Sequence, residues 1–238
     1  MFLLVTASVF FILIHFLIAG TRVRDRLVAS LGEAKFRICF TLLAALGLAG
    51  MVVGYIQAES SPVWDDGVIS LPTGVFYIGN LLAVLLLVIG TLTPSPNSIV
   101  TEKAYQQGKV EIVGMLRITR HPGMLGIGLW ALMHLLANGD SASIVFFGAL
   151  AMLALLGPLS MDRKKLRLDG ERYAQVMAQT SYLPFRALLR NRNLRSQKLP
   201  DENRSVWAEI GWLKPGLAVL VFVGLVFAHP WLAGVPVW

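Results

Sequence analysis

Charged residues are scarce in this 238-residue chain: they make up 15% of it, against about 25% in a typical soluble domain. Hydrophobic residues make up 55%, and the mean hydropathy is +0.65. This shortage of charge, together with several apolar runs of about 20 residues, excludes an ordinary soluble domain and indicates that lipid is the solvent. There is a single cysteine, Cys39, so an intramolecular disulfide is excluded as well.

Six apolar runs have the length of a membrane span, and each must be helical because a backbone in hydrocarbon has to satisfy its own hydrogen bonds. In the second run, Gly50 and Gly54 are predicted to let another helix approach closely. The residues Asn138, Gly139 and Asp140 predict a tight turn between the fourth and fifth runs. We therefore expect an all-α bundle of about six transmembrane helices in a single domain covering residues 1–238. The predicted spans are Phe2–Ala19, Phe36–Ile56, Thr73–Leu92, Pro122–Ala137, Ser141–Leu159 and Leu213 to about Ala233.

The basic residues lie in only three of the segments that connect these spans. All 21 Lys and Arg fall between residues 22 and 37, 103 and 120, or 163 and 214, whereas the other connections carry only acidic charges. The positive-inside rule therefore places both termini outside the cytoplasm. This topology and anionic lipid headgroups explain the net charge of +7, so we expect no nucleic-acid partner. The longest connection, residues 161–212, is predicted to be a basic cytoplasmic segment with an amphipathic helix at Glu171–Gln179 and a mobile stretch at Asn191–Arg204.

Acidic side chains are almost absent from the apolar runs, and this absence directs attention to the histidines. His15, His134 and His229 lie within the runs, and His121 stands at the start of the fourth. An ionisable group within a membrane is costly and is therefore a functional candidate. Without carboxylates nearby, imidazoles favour a soft or borderline metal over a proton relay or a hydrolytic zinc site, and haem iron suits an apolar setting. The alternative is that each ring only hydrogen-bonds to a neighbouring helix, or, for His229, that it caps a helix end.

A second candidate site is the segment from Arg117 to Gly126, in which Arg120, His121 and Pro122 are consecutive. Proline suits the first turn of a helix, whose amide groups and dipole favour anions. The two arginines add positive charge at the cytoplasmic face. We therefore predict that Arg120 and His121 belong to a site for an anion or for the headgroup of a cofactor. The alternative is that the arginines only anchor the helix to phospholipid.

Taken together, these segments resemble the NnrU family, named for nitric-oxide and nitrite respiration, and its plant and cyanobacterial relative, zeta-carotene isomerase. The resemblance covers nearly the whole chain, and the long block from Arg117 to Asp140 is its specific part. It is carried by His15 with the Arg22–Arg26 cluster, Arg117 through His134 to Asp140, Asp162-Arg163, Gly170, Thr180-Ser181 with Pro184-Phe185, and Ala228-His229-Pro230.

This resemblance implies a haem b protein of the inner (cytoplasmic) membrane whose iron is held by His15 and His134. In the isomerase a cysteine precedes the second histidine by three residues; this chain has Ala131 there, so a redox-driven exchange of ligands does not carry over. A rise of about 1.5 Å per residue places His134 roughly 18–20 Å from the cytoplasmic end of its helix and His15 about 8 Å from the end of its own. His229 matches the depth of His134 better, and it is the alternative second ligand.

The resemblance also implies a role in nitrogen-oxide respiration (denitrification) by redox or isomerase-like chemistry. A hydrophobic small molecule is the expected substrate, and a respiratory nitrogen-oxide enzyme is the expected partner. One alternative is a non-catalytic factor that helps a respiratory enzyme to mature.

The other alternative is a membrane methyltransferase that uses S-adenosylmethionine. The Arg-His-Pro segment and Gly170-x-x-Tyr173 are similar to the isoprenylcysteine and phospholipid methyltransferases. This likeness implies a cofactor site at the cytoplasmic face, although the acidic pair expected after the fifth span is missing, because Asp162 is followed by two basic residues. The residues that would form the site are Arg120, Asp162, Arg163 and Tyr173.

Overall fold

Helices are the main regular elements of the computed structural model, which describes residues 1–64, 72–97, 105, 107–108, 111–190 and 205–234. The predicted mobile stretch Asn191–Arg204 lies outside the described residues, as do the basic residues Lys103 and Lys109. The helices are α1 (Phe2–Leu13), a π-helical turn (Ile14–Ala19), α2 (Arg22–Leu31), α3 (Glu33–Ile56), α4 (Thr73–Thr91), α5 (Met115–Ile118), α6 (Pro122–Asn138), α7 (Ser141–Gln179), α8 (Arg186–Arg190), α9 (Val206–Ile210) and α10 (Leu213–Ala233).

In the part of the chain that the structure describes, five helical segments are long and apolar enough to cross a membrane. A sixth, α6, is also apolar but has only 17 residues. Together they correspond one to one with the six predicted runs, and the chain is an all-α, multi-pass membrane protein. The five longer segments are Phe2–Ala19, Glu33–Ile56, Thr73–Thr91, Ser141–Gln179 and Leu213–Ala233.

The α3 helix begins at Glu33, three residues before the predicted start at Phe36. Gly32, with a φ of 81°, separates it from α2, and this left-handed region favours glycine. The carboxylate of Glu33 accepts hydrogen bonds from Arg24 (2.7 Å) and Arg37 (2.8 Å). The charged first turn is therefore satisfied by local ion pairs, which hydropathy alone does not predict.

The α7 helix continues well past the apolar run that predicted it. It extends to Gln179 and includes the predicted amphipathic helix Glu171–Gln179. Gly170 interrupts it with a φ of 52° and a ψ of −124°, a combination that only glycine adopts without strain. The helical stretch that contains the membrane span and the stretch that contains Glu171–Gln179 therefore meet at a single glycine rather than at a loop.

The chain divides into two compact units, Met1–Phe76 with Ile127–Leu168 and Tyr77–Gly126 with Asp169–Trp238. In the first unit, α1 and α3 approach closely. A β-carbon at Gly54 would lie 2.6 Å from the backbone nitrogen of Leu4, and one at Gly50 would lie 3.2 Å from the Cβ of Ala7. The close helix approach predicted at these two glycines is therefore confirmed.

Each unit has a hydrophobic core of its own. The second unit's core is built around Ile89 of α4, Ile118 of α5 and Ile210 of α9. The first unit's core brings together side chains from α1, α3, α6 and α7. Its buried members include Leu4, Ala7, Phe11, Met51, Ala131, Phe146 and Phe147, with Trp130 and Tyr55 packed against them; we call this set the aromatic core.

Candidate functional site

His134 lies on α6 with its imidazole among aromatic rings. The ring centroids of Trp130, Phe147 and Phe76 are 4.7, 5.2 and 5.6 Å from that of His134. Its Nδ1 is 2.9 Å from the carbonyl oxygen of Trp130, one turn earlier. Because a carbonyl can only accept, Nδ1 carries the proton, and Nε2 then carries the lone pair with which a histidine binds a metal.

His15 lies in the π-helical turn and has the same hydrogen-bonding arrangement. Its Nδ1 is 2.7 Å from the carbonyl oxygen of Phe11, so Nδ1 is again the protonated nitrogen. The rings of Phe11 and Phe40 lie 4.5 and 5.2 Å from that of His15, centroid to centroid. A π-helical turn is rare and is frequently found at functional sites, so the backbone adds an independent signal at this residue.

The two imidazoles lie against the same aromatic core. Phe11 contacts His15, Trp130 and Phe147 contact His134, and all three aromatic residues belong to that core. Each imidazole has its own set of neighbours rather than a shared one. In the first unit, the Nε2 atoms of both imidazoles thus carry a lone pair, and each ring lies beside apolar, aromatic side chains, a setting that suits the largely apolar ring of a porphyrin.

The donor set fits a cofactor that supplies most of the metal's ligands itself. Within the described residues, no group of three or more His, Cys, Asp or Glu side chains is placed to hold a metal ion. A haem needs only one or two axial ligands from the protein. Ala131, at the position where the resemblance expects a cysteine, is fully buried in the aromatic core.

Asp140 forms a polar cluster at the turn between α6 and α7 that sequence reasoning interpreted only as a turn. Its carboxylate accepts hydrogen bonds from the hydroxyls of Ser60 and Ser143 and from the backbone amides of Ala142 and Ser143. Ser143 also shares a hydrogen bond of 2.9 Å with the hydroxyl of Tyr55. Because the ring of Tyr55 contacts those of Phe146 and Phe147, this cluster supports Phe147, one of the rings that contact His134. The signal in the sequence is Asp140 followed by Ser143, which is typical of a helix N-cap.

Acidification should destabilise the first unit through Asp140. Burial opposes ionisation, yet hydrogen bonds from Ser143 and Ser60 outweigh it and hold the pKa of Asp140 below its ordinary value. The stability that the ionised Asp140 contributes is therefore complete above its ordinary pKa. It is lost as the pH falls through the lower pKa that Asp140 has in the folded state. We expect Asp140→Ala to lower the free energy of unfolding at neutral pH by about 1–2 kcal/mol and to reduce the loss of stability on acidification, measured by thermal unfolding in detergent.

Glu59→Gln is the matched control for this prediction, because Glu59 is an exposed acid next to Ser60, one of the partners of Asp140. It should leave both the stability and its pH dependence unchanged. An Asp140→Ala protein with the stability and acid sensitivity of the wild type would contradict the prediction.

Arg120 and His121 belong to the second unit and are buried, with 8% and 3% of their surface accessible. The backbone amide of Arg120 donates to the carbonyl of Ser181 (3.0 Å), and Thr119 donates through its hydroxyl to the carbonyl of Tyr182 (2.7 Å). The ring of His121 also lies 6.2 Å from that of Tyr182. The Arg-His-Pro segment is thus hydrogen-bonded to the Thr180–Phe185 segment. Both segments are among those that carry the family resemblance.

Arg117 does not add net positive charge to this segment. Its Nη1 forms an ion pair of 2.9 Å with Oε1 of Glu209, whose other oxygen accepts from the backbone amide of Gly114 at 2.6 Å. An anion site here would therefore rely on Arg120 and backbone groups.

The remaining predicted residues fall into different units. His229 is half-buried on α10 of the second unit, whereas His15 and His134 lie in the first. Asp162 is buried in the first unit, and Tyr173 is fully buried in the second, where its hydroxyl donates to the side-chain oxygen of Asn97 at 3.1 Å.

Comparison with known proteins places these residues in a family. The family model described as NnrU protein matches residues 3–237. The chain is 27% identical over 231 residues to the chloroplastic 15-cis-zeta-carotene isomerase of Arabidopsis thaliana, and 26% identical over 229 residues to that of Zea mays; each match covers 94% of this chain. The chain spans only 58% of the length of either isomerase. No solved structure matches it. Since the family model covers almost all of its residues, the chain belongs to the NnrU family.

Proposed function

We propose that this protein binds haem b in the membrane and acts on a hydrophobic small molecule by isomerase-like or redox chemistry. The observation that carries the proposal is the matched arrangement of His15 and His134. Both hold the proton on Nδ1 through a carbonyl of their own helix, and both lie against one aromatic core. A hydrogen bond of this kind is what orients the histidine ligands of metal centres.

His134 is the proposed first ligand and His15 the second, with His229 as the alternative to His15. The cofactor would supply a redox-active iron. Since two imidazoles leave no open coordination position, binding of a small ligand would require one histidine to withdraw. The protein's own contribution is to orient the two rings and to exclude water with Trp130, Phe147 and their neighbours.

The names of the two relatives favour an isomerase-like activity on a carotenoid-like molecule, because both are 15-cis-zeta-carotene isomerases. The proposed role in nitrogen-oxide respiration, the location in the inner (cytoplasmic) membrane and a respiratory enzyme as partner rest on the family resemblance alone. A non-catalytic role in the maturation of that enzyme would leave the same haem site intact but would require no substrate.

Titration with haem tests the proposal directly. We expect the detergent-solubilised protein to bind one haem and to give a low-spin absorption spectrum that sharpens on reduction with dithionite, as is typical of two imidazole ligands. A wild-type protein that stays colourless after reconstitution with haem would end the proposal.

The second candidate function, a methyltransferase that uses S-adenosylmethionine, is favoured by the second unit. There the Arg-His-Pro segment is bound to the cytoplasmic segment through Thr119, Arg120 and Ser181, which is the association that the likeness to methyltransferases implies. Calorimetric titration with S-adenosylmethionine discriminates between the two functions. Micromolar binding that requires Arg120 and survives His134→Ala would favour the methyltransferase.

A further inference from the structure

The first unit contains a cleft of about 510 Å³ between its N-terminal segment and α7. One wall consists of the π-helical turn and the start of α2, and the other consists of a stretch of α7. Apolar side chains line one part of it and arginines line the other. The apolar residues are Phe16, Leu156 and Leu159, and the basic ones are Arg22, Arg163 and Arg167.

The arginines of this cleft carry a surplus of positive charge. Arg167 is compensated, because its Nε lies 3.0 Å from Oδ2 of Asp25. Arg22 and Arg163 have no ion-pair partner among the described residues. This differs from Arg24 close by, which pairs with Glu33 at 2.7 Å. Two cations that face a cleft without a protein carboxylate are suited to bind an anion from outside the chain.

The floor of the cleft is held by a close contact between its two walls. A β-carbon at Gly20 would overlap the hydroxyl oxygen of Ser160, so glycine is needed for this approach. Arg167 adds a hydrogen bond of 3.4 Å from Nη1 to the carbonyl oxygen of Gly20. The contact between the two elements therefore fixes the position of the arginines relative to the apolar side chains of the cleft.

The cleft lies where the sequence changes from apolar to basic on both walls. The apolar segment Phe2–Ala19 ends just before Arg22, and the apolar part of α7 ends at Leu159, four residues before Arg163. In a bilayer this is the level at which hydrocarbon meets headgroups. No histidine or cysteine lines the cleft, so its chemistry suits an amphipathic anion rather than a metal.

We propose that this cleft binds the phosphate of an anionic phospholipid through Arg22 and Arg163, with an acyl chain along Phe16, Leu156 and Leu159. Arginine binds phosphate oxygens with its planar fork of donors. Because Phe16 is a member of the π-helical turn that carries His15, the bound lipid contacts the element of a proposed haem ligand. The proposal itself does not depend on haem.

Native mass spectrometry of the full chain tests this proposal. The protein is released from micelles that contain phosphatidylglycerol and phosphatidylcholine with matched acyl chains in equal amounts. We expect the wild type to retain phosphatidylglycerol in preference to phosphatidylcholine. Each arginine replaced should weaken this retention roughly fivefold, so Arg22→Gln with Arg163→Gln should weaken it about 25-fold. Arg163→Lys, which keeps the charge but loses the planar fork of donors, should weaken the retention less than Arg163→Gln does.

The matched control is Arg26→Gln with Lys35→Gln, which removes two exposed charges from the same basic connection but none from the cleft. The control should keep the wild-type preference; an equal loss in both double variants would assign the effect to bulk charge and overturn the proposal. Displacement of the lipid by inorganic phosphate at the same concentration would also overturn it, since the site would then be a simple anion site. Unchanged lipid retention with loss of haem in the Arg22 and Arg163 variant would assign the arginines to the haem carboxylates and overturn it as well. Circular dichroism of each single variant confirms that the fold is kept.

Discussion

Replacing His134 with alanine should abolish the low-spin Soret band of the haem-reconstituted protein. His134 is the ligand common to both versions of the proposed site, whether His15 or His229 is the second. Its Nδ1 donates to the carbonyl oxygen of Trp130, so Nε2 is the nitrogen that would bind the iron. The loss of the Soret band would report the loss of this nitrogen. We expect haem affinity to fall by at least two orders of magnitude, since the removal of a ligand costs more than the 10–100-fold that is typical of its supporting partners.

Two controls separate coordination from packing in this experiment. Added imidazole should restore the low-spin band in the His134→Ala protein, because a free imidazole can occupy the space of the lost ring and bind the iron. Trp130→Phe should keep the band, because it removes an aromatic neighbour but leaves a ring in its place. A His134→Ala protein with an unchanged spectrum would show that this imidazole only donates to its neighbouring carbonyl.

The six apolar runs could be predicted from hydropathy because a membrane demands continuous apolar helices. Their ends could not, since they depend on individual interactions. The α3 helix starts early because Arg24 and Arg37 satisfy Glu33. The helical run of α7 reaches Gln179 only across the non-helical backbone of Gly170, which separates two helical stretches. Hydropathy contains no information on either an ion pair or a single backbone angle.

In the candidate site too, the residues could be predicted from the sequence pattern, whereas their contacts could not. Histidines in apolar runs are rare enough to be noticed, so His15 and His134 could be proposed from the sequence. The carbonyl bonds that set their protonation, and the π-helical turn at His15, depend on backbone geometry. The ion pair between Arg117 and Glu209 joins residues 92 positions apart, and a local pattern could not predict that Arg117 is neutralised.

Replacement of His15 should convert the low-spin haem to a high-spin form without releasing it. If His15 is the second ligand, His15→Ala leaves the iron bound through His134 alone, with one coordination position open. We expect a shift of the Soret band and the appearance of high-spin absorption, with the haem stoichiometry retained. His15→Met should keep a low-spin spectrum and raise the reduction potential, because methionine is also an axial ligand and favours the reduced iron.

The same measurement on His229→Ala decides between the two candidates for the second ligand. A rise of about 1.5 Å per residue predicts that the depth of His229 matches that of His134 better than the depth of His15 does. The π-helical turn and the hydrogen bond to Phe11 instead favour His15. We expect His229→Ala to leave the low-spin spectrum unchanged. A high-spin spectrum in His229→Ala and a low-spin one in His15→Ala would move the assignment to α10. If neither variant changes the spectrum, neither His15 nor His229 is the second ligand. His134 would then be the only one of these three histidines left in the proposed site.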